Sequence, residues 1–461
     1  MNVPVLDAID ATRAHVLEHN ALPDTLSIRT DTRALERGST FLALRGERFD
    51  GHDYVAEAFA RGAACAIVDD AAVVPAGRPA LVVPNTLQAY LDLAGSARGR
   101  IRGPVVGITG STGKTTTKQF VLGLLRGAGI AATATPENEN NEVGVAKFLC
   151  GLDDGDERVA IVEMGARKYR DLDVLVAAAQ PDIGLLTNAG EAHLEIMGTR
   201  ERIAQTKWAL PAGARCAVLN LDDDASRARA ATLAAVPMWY GIDDERPPAG
   251  ARAVIIETGG ARIITADGSA HAYSIAIGFP GDHNRRNLAG AFAAALLCVQ
   301  SATDDDDATA LAASVATLAL PHGRYEVVEL PGGIRVVFDA YNASLSGTLA
   351  TLGTFAREDA ARRIAVLGSM AELGGDAPGM HEKIGELAGR LDVVLAGGTF
   401  AGDTARGVES VGGTVVRYAS NADAIAWLRA NARAGDAILL KGSRRYKMEQ
   451  IAEALGAEVF A

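Results

Sequence analysis

Aromatic side chains fill only 5% of the 461 positions, and cysteine occurs four times, at Cys65, Cys150, Cys216 and Cys298. Spacing that wide offers neither the close pairs of a zinc site nor a disulfide framework, so a reducing compartment fits best. Basic charge is also scarce: 45 Lys and Arg stand against 57 Asp and Glu, a net charge of −12. Such a chain repels a phosphate backbone, and the short basic stretch Arg444 to Lys447 does not reverse that, which excludes nucleic acid as an expected partner. No membrane-length apolar run is present. The longest, around Leu288 to Val299, is Ala-rich, falls short of the roughly 20 residues that cross a bilayer, and predicts a buried helix instead. Met1 to Thr12 carries Asp7 and Asp10 and lacks a basic segment followed by an apolar one, so no secretion signal is expected and the protein is assigned to the cytoplasm.

What the chain has in quantity is aliphatic residues and glycine. Hydrophobic residues make up 48%, and 50 glycines are spread along the length, which suits an α/β protein with many short turns from strand to helix. The length exceeds what one hydrophobic core serves. Three zones are expected, with boundaries near Arg102 and Leu320: residues 1–102, 103–320 and 321–461. The first, with short apolar runs at Thr40 to Leu44 and Ala64 to Val68, predicts a small α/β domain. In the second, apolar runs at Pro104 to Thr109, Val159 to Val162, Ile183 to Leu186 and Ala217 to Leu219 each end in polar residues, as buried parallel strands do where they reach a site. The third repeats the alternation, with strands expected at Ile364 to Leu367, Val393 to Ala396 and Ala437 to Leu440 and a helix over His381 to Arg390, a second doubly wound domain.

Chemistry first shows itself in Gly110, Ser111, Thr112, Gly113, Lys114, Thr115 and Thr116, which follow an apolar strand and open an amphipathic helix. Glycines let backbone N–H groups approach phosphates, the helix N-terminus adds a positive dipole, Lys114 adds charge and Thr115 offers a hydroxyl to Mg²⁺. The common pattern has a glycine five residues before Gly113; here that position is Ile108, with Gly107 one place too early. An ordinary glycine-rich turn would explain the glycines alone, but not a lysine followed by three threonines at a helix start. The loop therefore predicts ATP or GTP use, though not which reaction.

Downstream stand Thr135-Pro136-Glu137-Asn138-Glu139-Asn140-Asn141-Glu142-Val143-Gly144, then Glu163-Met164-Gly165-Ala166, then Asn188-Ala189-Gly190-Glu191-Ala192-His193-Leu194-Glu195. This order resembles the Mur ligases, and the resemblance extends over essentially the whole chain. Asp31-Thr32-Arg33, Gly38 to Gly46 and Asp50-Gly51-His52 resemble the family's uridine-nucleotide domain. Gly368 to Gly374, His381 and Lys441 to Arg444 resemble its Rossmann-like C-terminal domain, with a P-loop ATPase domain between the two.

The resemblance implies a monomeric ATP-dependent amide ligase that passes a phosphoryl group to a carboxylate and lets an amine attack the acyl phosphate. Within the family it lies nearest the branch that joins D-alanyl-D-alanine to UDP-N-acetylmuramoyl-tripeptide, so a UDP-linked muramoyl peptide and a dipeptide amine are the expected partners. By the same resemblance, Lys114, Lys207 and His193 are catalytic. Two Mg²⁺ ions fall to Thr115, Glu163, His193 and a carbamylated Lys207. The base of ATP falls to Asn284 and Asn287, and its remaining contacts to Arg324, Asp339 and Tyr341 once the domains close. Substrate contacts are implied for Thr32, Arg33, Gly46, Asp50, His52, Asn138, Asn141, Asn342 and Lys441. Taken singly, a strand-end carboxylate such as Glu163 is usually solvated, a loop histidine such as His193 bonds backbone, a helical lysine such as Lys207 faces water, and Asp282 or Asn284 would cap a helix.

Departures bear on the substrates. Ala209 stands where the family usually has a glutamate after the lysine, Ser344-Leu345-Ser346-Gly347 replaces an Asn-Pro segment, and Ser369 replaces an aspartate. They leave open a paralogue that joins a different carboxylate and amine. A nucleotide-dependent switch is the third possibility, disfavoured because a switch has no use for a second metal site.

Overall fold

The computed structural model describes residues 3–46, 49–137, 139–299 and 305–459. The first zone forms a five-stranded mixed sheet ordered His15–Leu17, Ala80–Val82, Cys65–Val68, Thr40–Leu42, Ile28–Arg29. Its helix Thr86–Arg98 leans on the middle zone, where Arg98 pairs with Asp182 at 2.7 Å.

The middle sheet has nine strands, and its order explains the site. Val105–Thr109 lies between Ile183–Leu186 and Val159–Glu163, parallel to both, with Thr109 beside Leu186 and Ile108 beside Glu163. The connection after Val105–Thr109 runs to Ala132–Ala134 on one side and that after Val159–Glu163 runs to Ile183–Leu186 on the other, and a crevice opens beyond their carboxyl ends, as is usual where strand order reverses. The runs expected as parallel strands pair in parallel, and beyond them the sheet continues with antiparallel strands. Beyond Cys216–Asn220 and Met238–Ile242, the strand Arg252–Glu257 turns at once into Gly260–Ile264, and Ala270–Ser274 follows; turns that short permit only antiparallel pairing. Helix Asp282–Val299 covers this sheet with its buried alanine face, as the apolar run predicts.

The third zone is a six-stranded sheet ordered Glu326–Leu330, Ile334–Phe338, Asp436–Lys441, Arg362–Leu367, Val393–Gly397, Val415–Tyr418. Its strands are parallel except for the Glu326–Leu330 hairpin edge. The expected helix at 381–390 occupies Ala377–Ala388. Among the described residues no helix is long and apolar enough to cross a membrane.

Candidate active site

Glycine geometry makes the loop. Gly110 has φ of +155° and Gly113 of +81°; a Cβ would fall 1.7 Å from Thr187 Oγ1 at the first and 2.4 Å from Asn287 Oδ1 at the second. Both conformations and both close approaches require the missing side chain. Asn188 braces the loop, its backbone carbonyl accepting from Ser111 N at 2.9 Å and its Oδ1 from Thr112 N at 3.2 Å. Lys114 starts helix Lys114–Gly127 and donates to Gly110 O at 2.8 Å. Burial pulls its pKa down, against the upward pull of the Glu163 carboxylate.

Glu163 is no solvated strand end. Its side chain is 1% exposed, and its Oε1 accepts from Thr115 Oγ1 at 3.2 Å and Asn140 Nδ2 at 2.9 Å. Oε2 lies 3.1 Å from Nζ of Lys118, a fully buried lysine one helical turn beyond Lys114 that also donates to Thr135 O at 2.9 Å. Thr115 and Glu163 thus present hard oxygen donors facing each other at the loop. That donor set fits Mg²⁺, which takes one or two protein ligands alongside waters and phosphates; among the described residues no cluster of three His, Cys, Asp or Glu forms a complete cage.

His193 adopts a left-handed backbone, φ +61°, at the start of the short helix Leu194–Met197. It does not bond backbone through its ring. Its Nδ1 meets Glu372 Oε2, a carboxylate from the third zone, whose Oε1 accepts from Arg167 at 2.8 Å. Burial lowers the His193 pKa; Glu372 opposes that shift while Lys207 and Lys114 reinforce it. Lys207, on helix Arg200–Gly213, does not face water either. It is 1% exposed, with no side-chain hydrogen bond or ion pair among the described residues, and burial, assisted by the Lys114 charge, holds its pKa well below the ordinary lysine value.

The third zone closes the other side. Arg324 stacks over Tyr341 at 4.3 Å, and Asp339 lies 2.9 Å from Lys441, whose Nζ also donates to the carbonyls of Asp339 and Asn342 at 3.0 and 3.2 Å. These residues and the loop line one cavity of about 1400 Å³, together with Asn141, Glu163, His193, Asn284 and Asn287. Asn284 does not cap its helix through its side chain, which donates to Pro280 O at 2.8 Å. Asn141 caps helix Glu142–Cys150 by accepting from Gly144 N. Lys207 is not among the residues that line it.

Gly110 and the five expected first-zone residues also stand outside the lining of this cavity. Thr32 and Arg33 open the turn Thr32–Ala34 capped by Asp31, and Arg33 pairs with Asp31 at 2.7 Å. Gly46 donates to Phe49 O at 2.9 Å, while Asp50 holds His52 Nδ1 at 2.7 Å and pairs with Arg45. Asn138 lies outside the described residues. Conversely, Lys118, Asn140, Asn188, Arg167 and Glu372 are built into the site without having been singled out. The i+4 spacing of Lys118 from Lys114 is the one local signal among them.

The comparisons agree with this geometry. Residues 26–98 match the family model described as Mur ligase family, catalytic domain; residues 108–295 match Mur ligase middle domain; and residues 323–444 match Mur ligase, glutamate ligase domain. The chain is 34% identical to the UDP-N-acetylmuramoyl-tripeptide--D-alanyl-D-alanine ligase of Mycobacterium tuberculosis, over 94% of this chain and 92% of that one. Among solved structures it is similar to MurF from Acinetobacter baumannii, with a TM-score of 0.85, 26% identity and 99% of each chain covered. It is also similar to MurF ligase from Thermotoga maritima in complex with ADP, with a TM-score of 0.77, 28% identity and coverage of 93% and 97%.

Proposed function

The chain belongs to the Mur ligase family of ATP-dependent ligases, and from that premise we propose that it joins D-alanyl-D-alanine to the terminal carboxylate of UDP-N-acetylmuramoyl-tripeptide, releasing ADP and phosphate. This is a step of peptidoglycan precursor synthesis, which we assign to a monomer in the cytoplasm. Residues 1–102 bind the uridine nucleotide, 103–320 bind ATP and 321–461 bind the amine. One observation carries the proposal: a single cavity lined both by the glycine loop with Glu163 and His193 and by Arg324, Asp339 and Tyr341 from the third zone.

The loop N–H groups and Lys114 hold the triphosphate, and Asn284 and Asn287 address its base. Thr115 and Glu163 would hold one Mg²⁺, and His193 with a carbamylated Lys207 a second, and the metal would supply charge neutralisation of the phosphoryl group and the acceptor carboxylate. Lys207 supports the carbamate because burial, with the Lys114 charge, lowers its pKa, which favours the unprotonated form whose nitrogen adds to CO₂ with loss of a proton. Arg324 presents its guanidinium to phosphate oxygens, and Asp339 accepts from ribose hydroxyls. Docking of the third zone excludes water that would hydrolyse the acyl phosphate before the amine attacks.

The test is phosphate release from ATP with the UDP-tripeptide alone, with D-alanyl-D-alanine alone and with both, followed by product mass. Release that requires both, with a product heavier by the dipeptide less water, is expected, and Lys114→Ala abolishes it. Release unaffected by either substrate rejects a ligase.

A different amine is the second reading, and one contact favours it. The altered Ser344–Gly347 segment abuts the loop: a Cβ on Gly347 would lie 3.5 Å from Thr112, and one on Gly190 would lie 3.3 Å from the unpartnered Ser346 hydroxyl. Product masses from a panel of dipeptide amines decide between the two.

A further inference from the structure

Two left-handed turns meet across the seam between the second and third zones. His193 has φ of +61° and Glu372 of +59°, a conformation that non-glycine residues adopt only where the surroundings impose it. Glu195 N donates to Glu372 O at 3.1 Å, and Gly374, itself at φ +67°, comes so close that a Cβ there would lie 3.4 Å from the Glu195 Cα. Both Glu372 oxygens are engaged by the middle zone, Oε2 by the His193 ring and Oε1 by Arg167 at 2.8 Å. A carboxylate gripped at both oxygens cannot swing, so it fixes the ring plane it touches.

We propose that Glu372 is a positioning residue for His193: delivered by the third zone, it accepts from Nδ1–H, sets the imidazole tautomer and leaves the Nε2 lone pair facing the nucleotide cavity only while the domains are docked. The inference rests on His193 serving the phosphoryl centre in the function proposed above. Carboxylates that orient ligand histidines in this way matter by 10–100-fold in metalloenzymes. The arrangement makes chemistry conditional on docking: while the third zone is undocked, Arg167 and His193 lose their shared anion and the ring is free to rotate. Hydrolysis of ATP without the third zone in place is thereby disfavoured.

The experiment uses the full-length protein labelled with ¹⁵N-histidine, with ADP and Mg²⁺ present, and the His193 signals assigned from their loss in His193→Gln. Wild type is expected to show Nδ1 protonated and Nε2 unprotonated. Glu372→Ala is expected to show exchange between tautomers and a fall in kcat of at least tenfold, with KM for ATP within threefold. Glu372→Gln, which keeps a carbonyl acceptor, recovers part of the kcat. The proposal is overturned by an unchanged tautomer in Glu372→Ala, by kcat retained within threefold, by a KM that rises with the fall in kcat, or by no recovery in Glu372→Gln. The tautomer is read without the peptide substrates, so it fails or survives independently of the substrate assignment.

Discussion

Two helices of the middle zone each bury a lysine near the phosphate loop, and the two lysines live in opposite environments. Lys118 is fully buried yet satisfied, 3.1 Å from Glu163 and bonded to the Thr135 carbonyl. Lys207 is equally buried and has no hydrogen-bond or ion-pair partner among the described residues. An ammonium removed from water must be paired or give up its proton. The first lysine is therefore a structural brace that holds a carboxylate in place. The second is a buried amine without such a partner, and burial lowers its pKa.

The contrast is broken most directly at Lys118. Lys118→Met strands the Glu163 carboxylate, and chemical denaturation should show a loss of about 3–5 kcal/mol, the usual cost of removing one partner of a buried pair. Lys207→Met removes no partner, so its stability should stay within about 1 kcal/mol of wild type or rise. In activity the order reverses for reasons other than folding. Lys207→Ala should cut phosphate release about 100-fold or more, comparable to losing a metal ligand or its orienting group, and added short carboxylates should restore part of it. Failure of that rescue removes the carbamate while leaving the neutral amine standing. The double variant Lys118→Met with Glu163→Gln should recover about 1–2 kcal/mol over Lys118→Met alone, because no buried charge is left unpaired.

The smallest effect is on pH dependence. The folded-state pKa of Lys207 lies well below the ordinary value of 10.5. As pH falls below the unfolded value, the unfolded chain takes up a proton that the folded chain refuses, so stability declines until the folded value is reached. Unfolding measured in CO₂-free buffers should show this decline in wild type and a flatter profile in Lys207→Met. An identical slope in both proteins would remove the neutral amine.

Much of the framework could be read along the chain. The loop needs glycines at two fixed positions and a helix start after a buried strand, all set within ten residues, and the apolar runs at 105–109, 159–163 and 183–186 mark strands buried on both faces. The strands between 252 and 274 escape that reading because Gly260–Ile264 alternates buried with half-buried positions and Ala270–Ser274 is largely exposed, without a continuous apolar signal. Of the site, Thr115 and Glu163 come together beside Lys114 at the loop. The first-zone motifs stand apart from the cavity, with His52 bonded to Asp50 through Nδ1 and accepting from Asp69 N through Nε2.

By itself the sequence determined what depends on near neighbours: left-handed glycines, helix starts and strand ends. Tertiary structure alone decided the pairings that make the site. His193 and Glu372 are 179 residues apart, and Lys118 and Glu163 are neighbours only because the strand order sets Val159–Glu163 beside Val105–Thr109. Hydrogen bonds and ion pairs act over about 3 Å, so which charged groups meet is fixed by sheet order and domain docking rather than by any local pattern.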